Sequence, residues 1–178
     1  MKEQSVQART LGNGLVAIVE PMAGVRSAAF SVLVPAGSVF DPPGKNAAAA
    51  VLCEMLPRGT GGRDSREFSN ALDDLGVQRE EGVGTAHLSL TGAMIADNLE
   101  PALRLYRDLL REPHLPEDEF EPAQAGVGQT IRGNEDEPRQ KVITELRQRC
   151  FVTPWGLPSD GTLSGLEALS HEDILAQY

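Results

Sequence analysis

Apolar and polar residues follow several different patterns along the chain, and each pattern predicts one kind of element. An apolar run at 15–20, directly after a glycine-rich turn at 12–14, predicts a strand. A second apolar run at 27–38 is too long for one half-buried strand, so we expect both of its faces to be covered. Prolines and a glycine at 42–44 then mark a turn, and the small apolar residues of 45–60 predict a helix.

Helical periodicity is clearest in two later segments. In 64–76, Asp64 and Glu67 have the spacing of a capping box, and the apolar stripe consists of Phe68, Ala71, Leu72 and Leu75. In 97–113, Asp97 is the predicted cap, and the apolar stripe consists of Leu99, Ala102, Leu103, Tyr106 and Leu110. Both segments are expected to pack on the core through these stripes.

The remaining segments complete the predicted element order. Residues 79–94 predict a hairpin with glycines near its bend. Residues 117–132 predict a helix weakened by Pro122, which costs about 3 kcal/mol, and by glycines, which cost about 1 kcal/mol each. Further helices are predicted near 138–151 and 170–177. Strands and helices that do not alternate favour an α+β fold, with helices packed on an antiparallel or mixed sheet.

Length and composition fit one globular unit over 1–178. Of the 178 residues, 40% are hydrophobic and 24% are charged, which are ordinary values for a folded domain. Aromatic residues make up only 4%, so the core must consist mainly of alanine, valine, leucine and isoleucine. The net charge of −10 argues against non-specific binding of nucleic acid, which requires cationic side chains, and favours basic partners or basic peptides.

Two further features bear on the compartment. No run approaches the roughly 18 apolar residues of a membrane span, and the first residues contain no apolar core of a signal peptide. Cys53 and Cys150 are far apart and have no disulfide-framework or metal-binding spacing. We therefore expect two free thiols in a reducing compartment, a cytoplasmic location and no association with membranes.

Taken alone, the sequence of 45–60 predicts no more than a core helix. The segments before and after it carry further information. The chain contains, in this order, a strand ending PAGSVFD, this helix ending EMLPRGT, a capped helix ending LG, and a hairpin. After the hairpin come the segments REPHLPEDEFE, NEDEP and FVTPWGLPSDGTLSGLEALSHEDI. In this order and at these spacings, residues 9–178 resemble the pitrilysin/insulinase family of zinc metallopeptidases. That family includes the mitochondrial processing peptidases and the core proteins of a respiratory complex. The resemblance implies the fold of one metallopeptidase unit.

Active members of that family carry an inverted motif, His-x-x-Glu-His, on the corresponding helix. Histidines four residues apart on one helical face can both bind one Zn²⁺, and the glutamate can take a proton from metal-bound water. Aligned through MLPRGT, the first histidine falls at Ala50, the glutamate at Cys53 and the second histidine at Glu54. The third ligand, a glutamate about 76 residues further on, falls near Thr130. The resemblance therefore implies a zinc helix whose zinc site has been lost.

The residues left at these positions do not suggest a replacement site. Adjacent helical residues point about 100° apart, so Cys53 and Glu54 cannot easily face one ion. The histidines are scattered at His87, His114 and His171. We expect no tightly bound zinc or other cofactor in this chain, and zinc only in an active partner. Glu80 falls where active members carry an asparagine that helps to position substrate, so the resemblance makes it a possible substrate-side position.

The resemblance implies a function without catalysis by this chain alone. Family members consist of two or four similar units, and several occur as pairs in which one subunit lacks the zinc motif. We expect a non-catalytic subunit that contributes chamber wall and peptide contacts to a catalytic partner. A structural or assembly protein like the respiratory core subunits, and a peptidase with an atypical metal site, are the alternatives. In the family a further strand and a second unit follow the position of Tyr178, and a sheet edge left open there would favour self-association.

Overall fold

The computed structural model describes residues 5–178, which form seven strands and seven α-helices. The strands are β1 (Gln7–Thr10), β2 (Val16–Val19), β3 (Ser27–Val34), β4 (Gly59–Thr60), β5 (Arg63–Asp64), β6 (Gln78–Val83) and β7 (Leu88–Ile95). The helices are α1 (Ala48–Met55), α2 (Ser65–Asp74), α3 (Leu99–Arg111), α4 (Phe120–Asp136), α5 (Pro138–Cys150), α6 (Leu163–Glu167) and α7 (His171–Gln177).

The main sheet has three strands in the order β3-β7-β6, and both pairings are antiparallel. Strands β1 and β2 form a separate hairpin, as do the short strands β4 and β5. In the central strand β7, the residues at alternate positions from Leu88 to Met94 are buried. The predicted α+β fold with an antiparallel sheet and packed helices is confirmed.

The apolar run at 27–38 differs from its prediction. Only 27–34 is strand, and its residues alternate between exposed and half-buried, so one face is open. The strand ends because the chain turns onto the β6–β7 connection, where the Ser38 amide donates to the Gly84 carbonyl (3.1 Å). Gly37 is required here, since a Cβ at this position would lie 2.5 Å from the backbone of His87. Residues Ser38–Phe40 form a 3₁₀ turn instead of the end of a strand.

The predicted helix starts are right in one case and wrong in another. The capping box of α2 is confirmed, because the Asp64 side chain accepts from the Glu67 amide (2.8 Å) and the Glu67 carboxylate accepts from the Asp64 amide (3.0 Å). The prediction for Asp97 is wrong, since it lies in a 3₁₀ turn and α3 has no side-chain cap. Leu103 is 39% exposed, and the buried face of α3 consists of Ala102, Leu105, Tyr106 and Leu109.

The helix expected to be weak at 117–132 is continuous as α4. Pro122 lies in the first turn of α4, where backbone amides have no intrahelical acceptor, so its missing N–H costs little. Gly128 is buried, and a Cβ there would lie 3.3 Å from the Leu166 side chain of α6. Packing against α6 therefore supports α4, as its weak local propensity requires.

The core lies between the sheet and the helices. The Phe30 ring of β3 packs edge-to-face on the buried Tyr106 ring of α3, with ring centroids 4.8 Å apart. Both cysteines are free thiols, as predicted: Cys53 is buried and Cys150 is exposed. Over residues 5–178, the helices are too short or too polar for any of them to cross a membrane.

Candidate functional site

Helix α1 is enclosed by the rest of the chain. Seven of its eight residues are buried, and it contacts α4, α7 and β6. The approach of α6 to the start of α1 is very close, since a Cβ at Gly165 would lie 2.4 Å from the Asn46 carbonyl oxygen. Only glycine fits at 165 for this reason, and along α1 itself the alanines let the packed neighbours come close, because they carry no side chain beyond Cβ. The sequence thus places a helix of small residues at the centre of the molecule.

The N-terminus of α1 is capped from a distance. The formal N-cap residue, Ala47, has no side chain that could accept a hydrogen bond. The Asp41 carboxylate instead accepts from the Ala49 amide (2.8 Å), the Ala47 amide (3.1 Å) and the Asn46 side-chain amide (3.1 Å). Burial nevertheless raises the pKa of Asp41, because desolvation of the carboxylate outweighs these hydrogen bonds. Sequence reasoning missed this residue, which fixes the start of the central helix.

The four positions that the resemblance singled out lie on two helices that pack against each other. Ala50 (9% exposed) and Cys53 (8% exposed) are buried on α1, whereas Glu54 is exposed. Thr130 lies exposed on α4, where its hydroxyl donates to the Gly126 carbonyl one turn earlier (3.3 Å). The fold therefore brings the two helices together, but these positions carry a methyl group, a thiol, one carboxylate and a hydroxyl.

The environment of Cys53 keeps its thiol protonated. Burial raises the pKa of Cys53 to about 12, and the negative charges of Glu81 and Glu54 act in the same direction. A thiol is nucleophilic and binds metal as the thiolate. Cys53 therefore has the properties of an inert core residue at neutral pH.

Glu81 is a site residue that the sequence analysis missed. It lies opposite the buried Leu90 of β7, so it shares the face of the sheet on which the helices pack. Burial is the main cause of its raised pKa, which the nearby positive charge of Arg79 opposes and Glu54 reinforces. The alternation along β6 would have placed Glu81 with Val83 on this face, had the register with β7 been known.

Glu80 lies on the other face of the sheet. It is exposed and stands opposite Thr91, whose hydroxyl donates to the Glu80 carbonyl oxygen (3.1 Å). Successive strand residues point to opposite faces, so its side chain is directed away from α1. In residues 5–178 no strand pairs with the outer edge of β6, and the backbone there has no β partner.

These residues do not fit a zinc ion. Structural and catalytic zinc sites take three or four ligands from thiolate, imidazole and carboxylate groups. Ala50 has no donor, Cys53 stays protonated and the Thr130 hydroxyl is already used. His114 and His171 contact backbone carbonyls through their ring nitrogens, those of Gly61 and Leu115 (2.7 Å each). The part of the chain that the structure describes contains no cluster of three His, Cys, Asp or Glu side chains that could hold a metal.

Comparisons with known proteins agree on one family. The family described as Insulinase (Peptidase family M16) matches residues 16–158. An uncharacterized zinc protease of Streptomyces coelicolor is 25% identical over 98% of this chain and 38% of its own length. A probable mitochondrial-processing peptidase subunit beta of Arabidopsis thaliana is 23% identical over 93% of this chain and 31% of its own length. The chain thus spans less than half the length of these relatives.

Solved structures show the same fold. A structure described as a peptidase M16 inactive domain from Pseudomonas fluorescens matches with a TM-score of 0.85 and 20% identity, over 97% of this chain and 42% of the other. A protease from Helicobacter pylori matches with a TM-score of 0.88 and 20% identity, over 98% of this chain and 42% of the other. At this level of identity the likeness concerns the fold alone.

Proposed function

The chain belongs to the insulinase family of peptidases, M16, and we propose that it is a non-catalytic member of that family that works beside a zinc-bearing partner. The observation that carries the proposal is the set of side chains on α1 and α4. The family's zinc helix has its counterpart in α1, but Ala50, Cys53 and Glu54 do not supply the donors of the motif. A structure described as an inactive M16 domain has the same fold, so the fold itself is compatible with this proposal.

In this proposal the chain contributes part of the wall of a peptidase chamber and a surface that binds peptide. The free edge of β6 offers backbone groups that an extended peptide can pair with as an added strand. Glu80 and Glu81 lie on its two faces, and Glu54 is exposed on the neighbouring α1. Together with the net charge of −10, these carboxylates favour peptides with lysine and arginine. The two free thiols support a cytoplasmic location as part of this proposal.

Metal content tests the loss of the zinc site. We expect the purified chain, loaded with zinc and dialysed, to retain far less than one zinc per chain by mass spectrometry. The matched control is the quadruple variant Ala50→His, Cys53→Glu, Glu54→His, Thr130→Glu, which rebuilds the motif and is expected to retain close to one zinc. Close to one zinc in the native chain, together with chelator-sensitive peptidase activity, would show instead an active enzyme with an atypical site.

Peptide binding tests the proposed surface independently of metal. We expect a fluorescent arginine-rich peptide to bind the native chain and to dissociate as salt is added, since screening weakens exposed charge contacts. The double variant Glu54→Lys, Glu80→Lys should weaken binding about tenfold or more. Asp97→Lys, which reverses an exposed charge outside the sheet, is the control and should bind like the native chain. Equal binding by all three proteins would exclude the β6 surface.

A further inference from the structure

Strand β6 has one edge that no other strand of the described chain covers. Its other edge pairs with β7, and the Gly84 amide directly after β6 donates to the His87 carbonyl (2.8 Å). Because backbone groups along an antiparallel pair alternate in direction, the amides and carbonyls of Arg79, Glu81 and Val83 then point away from β7. Three residues of β6 therefore offer both of their backbone groups at the free edge.

The same three residues turn their side chains towards the helices. Successive strand residues point to opposite faces, and Glu81 and Val83 lie opposite the buried residues Leu90 and Leu88. The Arg79 guanidinium lies 3.9 Å from the Glu81 carboxylate, and the two side chains keep 29% and 21% of their surface exposed. A cationic, an anionic and an apolar side chain thus border the free edge in a row. We call Arg79, Glu81 and Val83 the β6 row.

Backbone contacts at both ends of β6 limit the free edge to the length of this row. At one end, the Gly84 carbonyl accepts from the Ser38 amide (3.1 Å). At the other end, the Val77 amide donates to the Leu72 carbonyl (3.0 Å), so the preceding amide is already used. A strand added at this edge therefore pairs with 79–83, and its register is fixed.

We propose that the β6 row selects peptides with the order apolar, any residue, basic, any residue, acidic, which bind antiparallel to β6 as an added strand. This inference rests on the proposed function, in which β6 binds peptide, and adds the sequence that the surface prefers. An antiparallel peptide meets Val83 first and Arg79 last, and side chains directly opposite one another form the lateral contacts of a sheet. An apolar side chain then meets Val83, a lysine or arginine meets Glu81, and a carboxylate meets Arg79.

Glu81 is the position at which the row is expected to select most strongly. Burial raises the pKa of its carboxylate despite Arg79, which lies 3.9 Å away, and the charge of Glu54 on α1 adds to this effect. A lysine or arginine of a peptide supplies the closer positive charge that this carboxylate lacks. A second copy of β6 fits less well, because the register that pairs Arg79 with Glu81 sets the two Glu80 side chains opposite each other.

Three capped peptides with the same fluorescent label test this order. Leu-Thr-Lys-Thr-Glu follows it, Glu-Thr-Lys-Thr-Leu reverses it, and Leu-Thr-Glu-Thr-Lys exchanges the charges. All three have one composition, so general attraction to an acidic protein does not distinguish them. In anisotropy titrations with the native chain, the first should bind about fivefold more tightly than the second. It should bind at least about tenfold more tightly than the third, which sets like charges opposite one another.

An exchange of charges within the row provides the matched variant. Arg79→Glu, Glu81→Lys keeps the net charge and should prefer Leu-Thr-Glu-Thr-Lys to Leu-Thr-Lys-Thr-Glu, a reversal that misfolding would not produce. Glu100→Lys, Arg104→Glu, the same exchange in an exposed ion pair of α3, should keep the native preference. Equal or unmeasurable binding of the three peptides by the native chain, or a preference that the exchange in the row leaves unaltered, would overturn the proposal.

The outcomes separate this inference from the proposed function. If an arginine-rich peptide binds the native chain but the three short peptides bind equally, the β6 surface stands and its preferred order is wrong. If the arginine-rich peptide does not bind either, the surface itself is excluded. Tighter binding of Glu-Thr-Lys-Thr-Leu would contradict the antiparallel direction. A dimer in sedimentation whose formation excludes Leu-Thr-Lys-Thr-Glu would identify a second copy as the occupant of this edge and overturn the proposal.

Discussion

Helices α1 and α5 show two opposite relations between an apolar sequence and its surroundings. Helix α1 has neighbours on several sides and buries seven of its eight residues, whereas α5 has 13 residues and buries none. The difference lies in the side chains. Alanines allow α4, α7 and β6 to come close to α1, whereas Val142 and Leu146 on α5 are 67% and 58% exposed. Apolar content predicts a helix in both cases and does not say what it packs against.

Burial also accounts for the residue types of one helix and not of the other. Alanine and a protonated cysteine suit the buried positions of α1, which fits the proposed absence of a zinc site. The exposure of α5 has no such structural explanation, because an exposed apolar stripe does not stabilise a monomer. Packing within the chain therefore explains the apolar residues of α1 but not Val142 and Leu146 of α5.

The largest expected difference between α1 and α5 is in the stability lost when one leucine of each helix is changed to alanine. Leu52 on α1 is 3% exposed, and Leu52→Ala should lower the free energy of unfolding by about 2–5 kcal/mol, because it removes buried methyl groups and leaves a cavity. Leu146→Ala on α5 should change it by no more than about 0.5 kcal/mol at concentrations where the chain is monomeric. Urea unfolding measures both. Equal costs would mean that α5 is packed in solution against something that this structure does not show.

The two cysteines report on the same contrast. Cys150 ends α5 and is exposed, whereas Cys53 on α1 is buried with its pKa raised to about 12. In a disulfide-exchange reagent at pH 8, one thiol per chain should react quickly and the second at least about a hundredfold more slowly. Cys150→Ser should remove the fast phase. Rapid reaction of two thiols in the native chain would show that α1 opens readily and is not a rigid core helix.

Much of the fold could be predicted because its signals are local. The capping box of Asp64 and Glu67 involves residues three apart and fixes the start of α2. The predicted apolar stripe of α3 is wrong at Leu103, which is exposed. The surface on which α3 packs, and not the periodicity of its sequence, decides which side of the helix is buried. The same reason applies to the run at 27–38, where a turn onto the β6–β7 connection ends the strand.

The candidate site could be predicted only in part. Ala50, Cys53 and Glu54 follow from the position of one helix in the sequence. Asp41 and Glu81 do not, because their roles depend on distant parts of the chain. Asp41 reaches the Ala49 amide eight residues later through a loop, and Glu81 faces α1 only because β6 pairs with β7 in one register. A shift of that register by one residue would turn Glu80 towards the helices instead.

Removal of the Asp41 carboxylate, which caps α1 from a distance, is expected to have a smaller effect on stability. Asp41→Ala should lower the free energy of unfolding by about 1–3 kcal/mol, because it leaves the buried Ala49 amide without an acceptor. Glu137→Ala is the counterpart on α5, where the N-cap side chain makes no capping hydrogen bond, and should cost no more than about 0.5 kcal/mol. Thermal unfolding of the two variants in dilute solution compares them. A larger cost for Glu137→Ala would reverse the expected order of the two helix starts.

The smallest effect is a difference in pH dependence at Glu81. Its pKa in the folded chain lies above the ordinary value, chiefly because of burial, so the folded state takes up a proton at higher pH than the unfolded chain does. Wild-type stability therefore gains from this group as the pH falls from neutral through the raised pKa, whereas Glu81→Gln cannot gain in this way. We expect the variant to be the more stable protein at pH 7 and its advantage to shrink as the pH falls towards about 4.

Urea unfolding at several pH values measures this difference, with Glu20→Gln, at an exposed carboxylate directly after β2, as the control. An advantage of Glu81→Gln that grows on acidification would mean that the carboxylate is stabilised in the folded chain, as by a close pairing with Arg79. The 3.9 Å separation of those two groups and the burial of Glu81 beside Cys53 argue against that outcome. A buried carboxylate next to a core helix without metal ligands is costly for folding, and a cationic side chain brought by a peptide or a partner would offset that cost.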